Sequence, residues 1–207
     1  RDSRTPQYER ELRLTMPGLF NVENALGVIA VCHALHVPPS AVYDGLVRAR
    51  VPGRMETYAN ADGSLHAIVD YAHNRLSFET LFRSVRAEYP GREMAIVFGC
   101  PGKKAYDRRR DLGEAAGRWC DRVYLTEEDS GEEDTLDICR EIASYVEAQG
   151  CDYSIEPNRG EAIRQAVLDC AGPTVLLLTG KGRETRQKRG TAYIAVSYTH
   201  LRAHETG

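Results

Sequence analysis

Apolar residues along this chain come in two rhythms. Short continuous runs, Ala67–Val69 and Met94–Phe98, have the length and branching of buried strands. Between them, Phe78, Leu81, Phe82 and Val85 recur at helical spacing inside Ser77–Tyr89, and Pro90-Gly91 stops the pattern. The alternation continues with helix Arg109–Trp119, strand Arg122–Thr126, helix Leu136–Gln149, strand Asp152–Ile155, helix Gly160–Cys170 and strand Thr174–Thr179. Strands separated by helices of this length predict βαβ units. The expected fold is α/β: a Rossmann-like, mostly parallel sheet with helices on both faces, from about Leu65 to Thr179. Upstream the rhythm changes. Glu11–Met16 alternates and predicts a half-exposed strand, Asn21–Leu35 a helix capped by Asn21, and Ser40–Leu46 a second helix capped by Ser40. These read as a separate helical layer, the remnant of a preceding domain. Val51-Pro-Gly-Arg-Met-Glu56 reads as a hinge.

Composition narrows the function classes. In 207 residues, 27 Lys and Arg oppose 30 Asp and Glu, a net charge of −3. That balance gives no global footprint for nucleic acid or an anionic membrane. No apolar run approaches the roughly 18 residues of a membrane span, and no secretory pattern opens the chain. The six cysteines are scattered without a Cys-x-x-Cys pair, as expected of thiols in a reducing cytosol. Residues 196–207 continue no pattern and resemble translated sequencing adapter, so they are set aside with His200 and His204, despite a metal-compatible spacing. No metal site is expected.

Candidate chemistry gathers where strands end, since ligands of open α/β sheets bind beyond the carboxyl ends of the strands. The first strand runs directly into Asp70-Tyr-Ala-His73. A lone histidine is more often structural; Asp70 beside it raises the functional reading of His73, while His33, His36 and His66 have no such company and Tyr71 reads as packing. Gly99-Cys-Pro-Gly-Lys-Lys104 opens a helix and could attract an anion or be a solvated basic start. It is not a P-loop, which needs four residues between its glycines and a Ser or Thr after the lysine. Glu127–Asp134 packs six carboxylates into eight residues, either a solvated loop or a seat for a cationic or zwitterionic ligand. Gly180-Lys-Gly-Arg-Glu-Thr185 occupies the same edge. Loops that are successively positive, negative and mixed suit an amino acid better than a bare nucleotide.

In this order the motifs resemble the Mur ligases, most closely the UDP-N-acetylmuramoyl-tripeptide synthetases. The resemblance covers Gly18 to about Gln187. It rests on Phe20-Asn-Val-x-Asn24, Val51-Pro-Gly-Arg-Met-Glu56, Val69-Asp-Tyr-Ala-His73, Phe98-Gly-Cys-x-Gly102 and Gly180-Lys-Gly-x-Glu184. It implies a cytoplasmic, ATP- and Mg2+-dependent enzyme of peptidoglycan precursor synthesis. Residues 1–52 would end its central ATP-binding domain, residues 53–195 would form its amino-acid-binding domain, and 196–207 would be a non-native tail. The implied reaction activates the D-glutamyl carboxylate of UDP-MurNAc-L-Ala-D-Glu as an acyl phosphate, which the amine of a diamino acid attacks. By position, Asn21 and Asn24 would lie against adenine, Arg54 at the ATP phosphates, Asp70 at the ribose and His73 near the nucleotide. Lys104 would meet the α-carboxylate of the incoming amino acid. Glu128, Asp129, Ser130 and Gly131, with Gly180 and Glu184, would hold its distal end.

Several positions depart from the family pattern. Glu128-Asp-Ser-Gly131 stands where diaminopimelate-adding members have Asp-Asn-Pro-Arg, so the arginine that a second carboxylate would want is absent. L-lysine is therefore expected over meso-diaminopimelate. The family's His in Gly-Lys-Gly-His-Glu is Arg183, and its Thr-Pro after the Asp-Tyr-Ala-His motif is Asn74-Arg75. A P-loop, magnesium ligands and a carbamylated lysine do not occur in this sequence, so the isolated chain is expected to be inactive. Two other readings are a stand-alone Rossmann-like module binding an amino acid or phosphate, and another amide ligase of the superfamily, of folylpolyglutamate or cyanophycin type.

Overall fold

A computed structural model describes residues 11–16, 18–182 and 184–195. Expectations about the first ten residues, the 196–207 tail and Arg183 lie outside the described residues. The chain divides into two compact units, residues 1–51 and 52–207.

The first unit holds α1 (Leu19–Ala34) and α2 (Pro39–Arg48). Ala25, Val42 and Leu46 form its buried centre, with Leu12, Leu14, Ile29, Cys32 and Val37 packed around it. The strand expected at Glu11–Met16 does not form: its leucines pack on that centre, and among the described residues no strand pairs with its backbone. Both expected helix caps are also corrected. Gly18, at φ 97, precedes α1, so Asn21 lies inside the first turn; Pro38 precedes α2 and Pro39 opens it.

In the second unit six strands form one sheet in the order β1-β2-β6-β3-β4-β5. They are β1 (Glu56–Ala59), β2 (Leu65–Val69), β3 (Glu93–Phe98), β4 (Arg122–Leu125), β5 (Asp152–Ile155) and β6 (Thr174–Leu178). All neighbours run parallel except β1, which pairs antiparallel with β2 (Glu56 opposite Val69). The last strand in sequence, β6, lies between β2 and β3: Leu176 is in register with both Ala67 and Ala95. Helices α3 (Arg75–Glu88), α4 (Asp107–Trp119), α5 (Thr135–Glu147) and α6 (Arg159–Leu168) make the crossovers. They cover both faces of this mostly parallel sheet.

Ala162, Ile163 and Ala166 of α6 bury against Ala67, Val69, Val97, Leu176 and Leu178. On the opposite face Phe78 of α3 meets Phe98 edge-on at 5.3 Å, and Phe82 stacks on Trp119. Burying Phe78, Leu81, Phe82 and Val85 contributes ~1.5–3 kcal/mol each. The N-cap of α3 is Asn74, whose side chain accepts from the Ser77 amide at 3.0 Å while Ser77 Oγ accepts from the Asn74 amide. Helices α4 and α5 can approach closely because Gly113 faces α5: a Cβ there would sit 2.9 Å from the Ile142 carbonyl oxygen. After β6 a hairpin, β7 (Arg186–Arg189) and β8 (Ala192–Ala195), completes the described chain.

Candidate active site

Four loops leave the carboxyl ends of β2, β3, β4 and β6. The sheet ladder runs on into three of them: the amides of Asp70, Thr126 and Thr179 donate to Leu178, Phe98 and Val97. The loop starts are therefore as rigid as the sheet.

The β2 loop is tied to the hinge by Asp70. Its buried carboxylate accepts from the Met55 amide at 2.9 Å and the Ala72 amide at 2.8 Å. Burial lifts Asp70 above the usual carboxylate range, against those two bonds and the Arg54 charge. Met55 is held at φ 48, a left-handed conformation that a non-glycine residue adopts only when its surroundings impose it. Arg54 is exposed, and its guanidinium lies over the Tyr71 ring, 5.1 Å from the centroid. Tyr71 is thus part of this edge rather than core packing: its hydroxyl donates to Glu184 at 3.1 Å. His73 Nδ1 lies 2.8 Å from the Tyr71 carbonyl, which can only accept, so Nδ1 donates in this contact and Nε2 is not engaged by it.

The β3 and β4 loops approach backbone to backbone. A Cβ on Gly99 would strike the Thr126 carbonyl oxygen, and one on Gly102 the Ser130 carbonyl oxygen. Lys103 and Ala105, both at φ 52, carry the chain around the turn. The Lys103 amide donates to Glu133 at 2.7 Å and its ammonium pairs with Glu132 at 2.9 Å. Arg109, fully buried, bonds Glu133 at 2.8 Å and Glu141 at 2.7 Å, and its hydrogen bond holds Glu133 below the usual carboxylate range. Lys104 is exposed on this loop.

The acidic segment after β4 is not a solvated loop at its base. Glu127 is buried and receives Arg189 of β7 through three short contacts of 2.7–2.9 Å. Glu128 is 7 % exposed, and its carboxylate occupies the space a Cβ on Gly180 would need. Burial pushes Glu128 up to about 7, against the charges of Arg159, Lys181 and Arg108. Asp129, at φ 48, accepts from the Lys188 amide at 2.7 Å. Ser130 is buried, and Gly131, at φ 58, pairs with β7 through bonds to Lys188 and Gly190. From β6, Lys181 is 2 % exposed and bridges Asp129 at 3.1 Å to Glu184 at 2.5 Å. Burial works to lower the Lys181 pKa, but the bonds to Glu184 and Asp129 outweigh it and leave it raised. Gly182 packs against the Gly53 carbonyl and the Tyr71 ring.

Of the residues singled out in the sequence, Arg54, Asp70, His73, Lys104, Glu128, Asp129, Ser130, Gly131, Gly180 and Glu184 all lie on the hinge or on these carboxyl-end loops. Asn21 and Asn24 belong to the first unit, one turn apart on α1, with Asn24 Nδ2 donating to Asn21 Oδ1 at 3.3 Å. Sequence reasoning missed the buried cations Lys181 and Arg159 and the half-exposed Arg189, among which the carboxylates sit. Gly180-Lys-Gly signalled a tight loop but not the direction of its lysine, and nothing marked Arg159 at a helix start as buried.

A mostly parallel sheet with helices on both faces and charged loops at its carboxyl edge is the architecture of an open, doubly wound α/β domain, whose ligands bind at that edge. Residues 53–182 match the family described as Mur ligase, glutamate ligase domain, and the chain belongs to the Mur ligase family. It is 36% identical over 178 residues to a UDP-N-acetylmuramyl-tripeptide synthetase of Lactobacillus delbrueckii, covering 86% of this chain and 34% of that protein. A UDP-N-acetylmuramoyl-L-alanyl-D-glutamate–2,6-diaminopimelate ligase of Synechococcus elongatus is 37% identical, covering 92% of this chain and 38% of that one. The corresponding L-lysine ligase of Enterococcus faecalis is 34% identical, covering 84% and 34%. The chain thus spans about a third of the length of these relatives. A solved diaminopimelate ligase of the same name superposes with a TM-score of 0.69 at 22% identity, covering 93% of this chain and 39% of that one. A folylpolyglutamate synthase from Thermotoga maritima gives 0.61 at 24%, covering 83% and 38%.

Proposed function

We propose that this chain is the amino-acid-binding part of an ATP-dependent ligase that adds a diamino acid, L-lysine in preference to meso-diaminopimelate, to UDP-MurNAc-L-Ala-D-Glu. Residues 1–52 would close the central ATP-binding domain and 53–195 would form the amino-acid-binding domain. ATP supplies the phosphoryl group that turns the D-glutamyl carboxylate into an acyl phosphate. Arg54, exposed beside the hinge, suits the phosphates; His73 offers Nε2; Asp70, with both oxygens bonded to amides, fits a ribose through its remaining lone pairs. Asn21 and Asn24 offer amide groups to adenine. Among the described residues no group of His, Cys, Asp and Glu could hold a metal ion, so no step is assigned to Mg2+ in this part.

The observation that carries the amino-acid assignment is the charge on the acidic loop. Lys181 already engages Asp129 and Glu184, whereas among the described residues no hydrogen bond reaches the Glu128 carboxylate, which lies against Gly180. A carboxylate without a protein hydrogen-bond partner, beside two that share one lysine, suits a distal amine. It opposes a distal carboxylate, whose unpaired burial costs ~3 kcal/mol or more. Lys104 would meet the α-carboxylate. The relatives include enzymes named for either amino acid, so competition decides. In the full-length ligase carrying this domain, kcat/KM for L-lysine should exceed that for meso-diaminopimelate, and Gly131→Arg should narrow the gap: among the described residues nothing stands within 4 Å of a Cβ there, although φ +58 strains any side chain at this position. A diaminopimelate preference in the native enzyme refutes the assignment.

A further inference from the structure

Arg159, the first residue of α6, is 1 % exposed, an unusual fate for a guanidinium. One of its nitrogens donates to the Thr179 carbonyl at 2.7 Å. Among the described residues its Nε and Nη1, both buried, have no hydrogen-bond partner, nor does the buried hydroxyl of Thr179. Thr179 immediately precedes Gly180, the residue on which the Glu128 carboxylate is seated. Arg159 therefore holds the seat by its backbone, and its charge acts on the carboxylate seated there. A buried guanidinium left with unpaired N–H groups costs free energy unless its charge is used.

We propose that Arg159 is a positioning residue of the amino-acid site: it fixes the Thr179–Gly180 backbone and favours the charged form of the Glu128 carboxylate seated there, for a substrate ammonium. This rests on the reading above that the edge takes an amino acid. Arg159 has the largest effect of the cations that act on Glu128, ahead of Lys181 from the β6 loop and Arg108 from α4. Asp129 in its own loop opposes them. The Cys100 thiol on the β3 loop and the Tyr71 hydroxyl on the β2 loop also feel the Glu128 charge. Without Arg159 the seat would remain, but Glu128 would hold its proton at neutral pH and present no charge to an amine.

The test is the titration of the Glu128 carboxyl, followed by carbon NMR in the whole chain. Replacing Arg159 by Gln should raise its midpoint by about one pH unit, tenfold in the ionisation equilibrium. Arg159→Lys, which keeps the charge, should stay near native. An unchanged midpoint in folded Arg159→Gln overturns the proposal. Should that variant fail to fold, the native chain gives the answer: the Arg159 Nε–H resonance should move with the Glu128 midpoint, and a resonance indifferent to it overturns the proposal equally. Adding L-lysine to the native chain should lower the Glu128 midpoint. If lysine has no effect while Arg159→Gln still shifts Glu128, the amino-acid reading fails and the Arg159–Glu128 coupling stands.

Discussion

Replacing Glu128 by Gln should make the protein more stable at neutral and alkaline pH, an unusual result for a residue at a binding edge. The carboxyl is lifted from an ordinary 4.5 to about 7, mainly by burial. The folded protein therefore binds this proton more tightly than the unfolded chain does. Its contribution to stability is complete below about pH 4.5 and is lost as pH rises through about 7. At ~1.4 kcal/mol per pH unit, the loss amounts to about 3 kcal/mol. Glutamine keeps the shape and hydrogen-bonding capacity but has no proton to release. Urea denaturation of both proteins across this range isolates the effect, because every other titrating group cancels in the difference. The Gln variant should gain about 3 kcal/mol on native between acid and mildly alkaline pH, on the order of 10 °C in Tm for a unit of this size. Parallel stability curves for the two proteins would refute the reasoning, and would mean that the Glu128 pocket is wetter or better paired than its burial implies.

Two further perturbations test the scaffold of the site. Arg189→Met leaves the buried Glu127 carboxylate without its guanidinium; because Arg189 itself is half-exposed, the cost should be about 2 kcal/mol, below that of a fully buried pair, and measurable by urea denaturation. Asn74→Ala removes the acceptor for the Ser77 amide at the start of α3 and should cost ~1 kcal/mol in the same assay, with His73 following the frayed turn through its bond to Ser77 Oγ.

The parallel core of this fold was legible because its strands are buried on both faces and read as unbroken apolar runs, Met94–Phe98 most clearly. Elements at the margins were not. Glu56–Ala59 is an edge strand held by pairing with β2, and its Glu-Thr-Tyr-Ala composition carries no signal of its own. Arg-Gln-Lys-Arg of β7 would be rejected by any propensity scale. It is a strand because β8 and the backbone of Gly131 pair with it and because Arg189 reaches Glu127. Conversely, Glu11–Met16 alternates like a strand but, among the described residues, has none beside it to complete the ladder. At the site, residue types and loop order were readable, since they follow from strand ends. Net charge was not. Counting Glu128, Asp129 and Glu184 as three available negatives overlooked Lys181, whose ammonium turns inward and engages two of them. Whether a lysine after a strand faces solvent or the protein depends on backbone angles such as φ 92 at Gly180, and these no linear pattern displays.

The placement of β6 between β2 and β3 has a consequence for how the protein is made. Strands that will flank it are synthesised more than seventy residues earlier, yet neither has its inner neighbour until Thr174–Leu178 arrives. A nascent chain would carry two separate half-sheets, β1-β2 and β3-β4-β5, each with an apolar edge waiting for the same strand. Closure is thus a late event of long sequence separation, the kind that folds slowly and leaves edges open to mispairing meanwhile. The strand that closes the sheet also delivers Gly180, Lys181 and Glu184 to the ligand edge. A nascent polypeptide therefore cannot display the complete carboxyl edge, with Lys181 set between Asp129 and Glu184, before its sheet is whole.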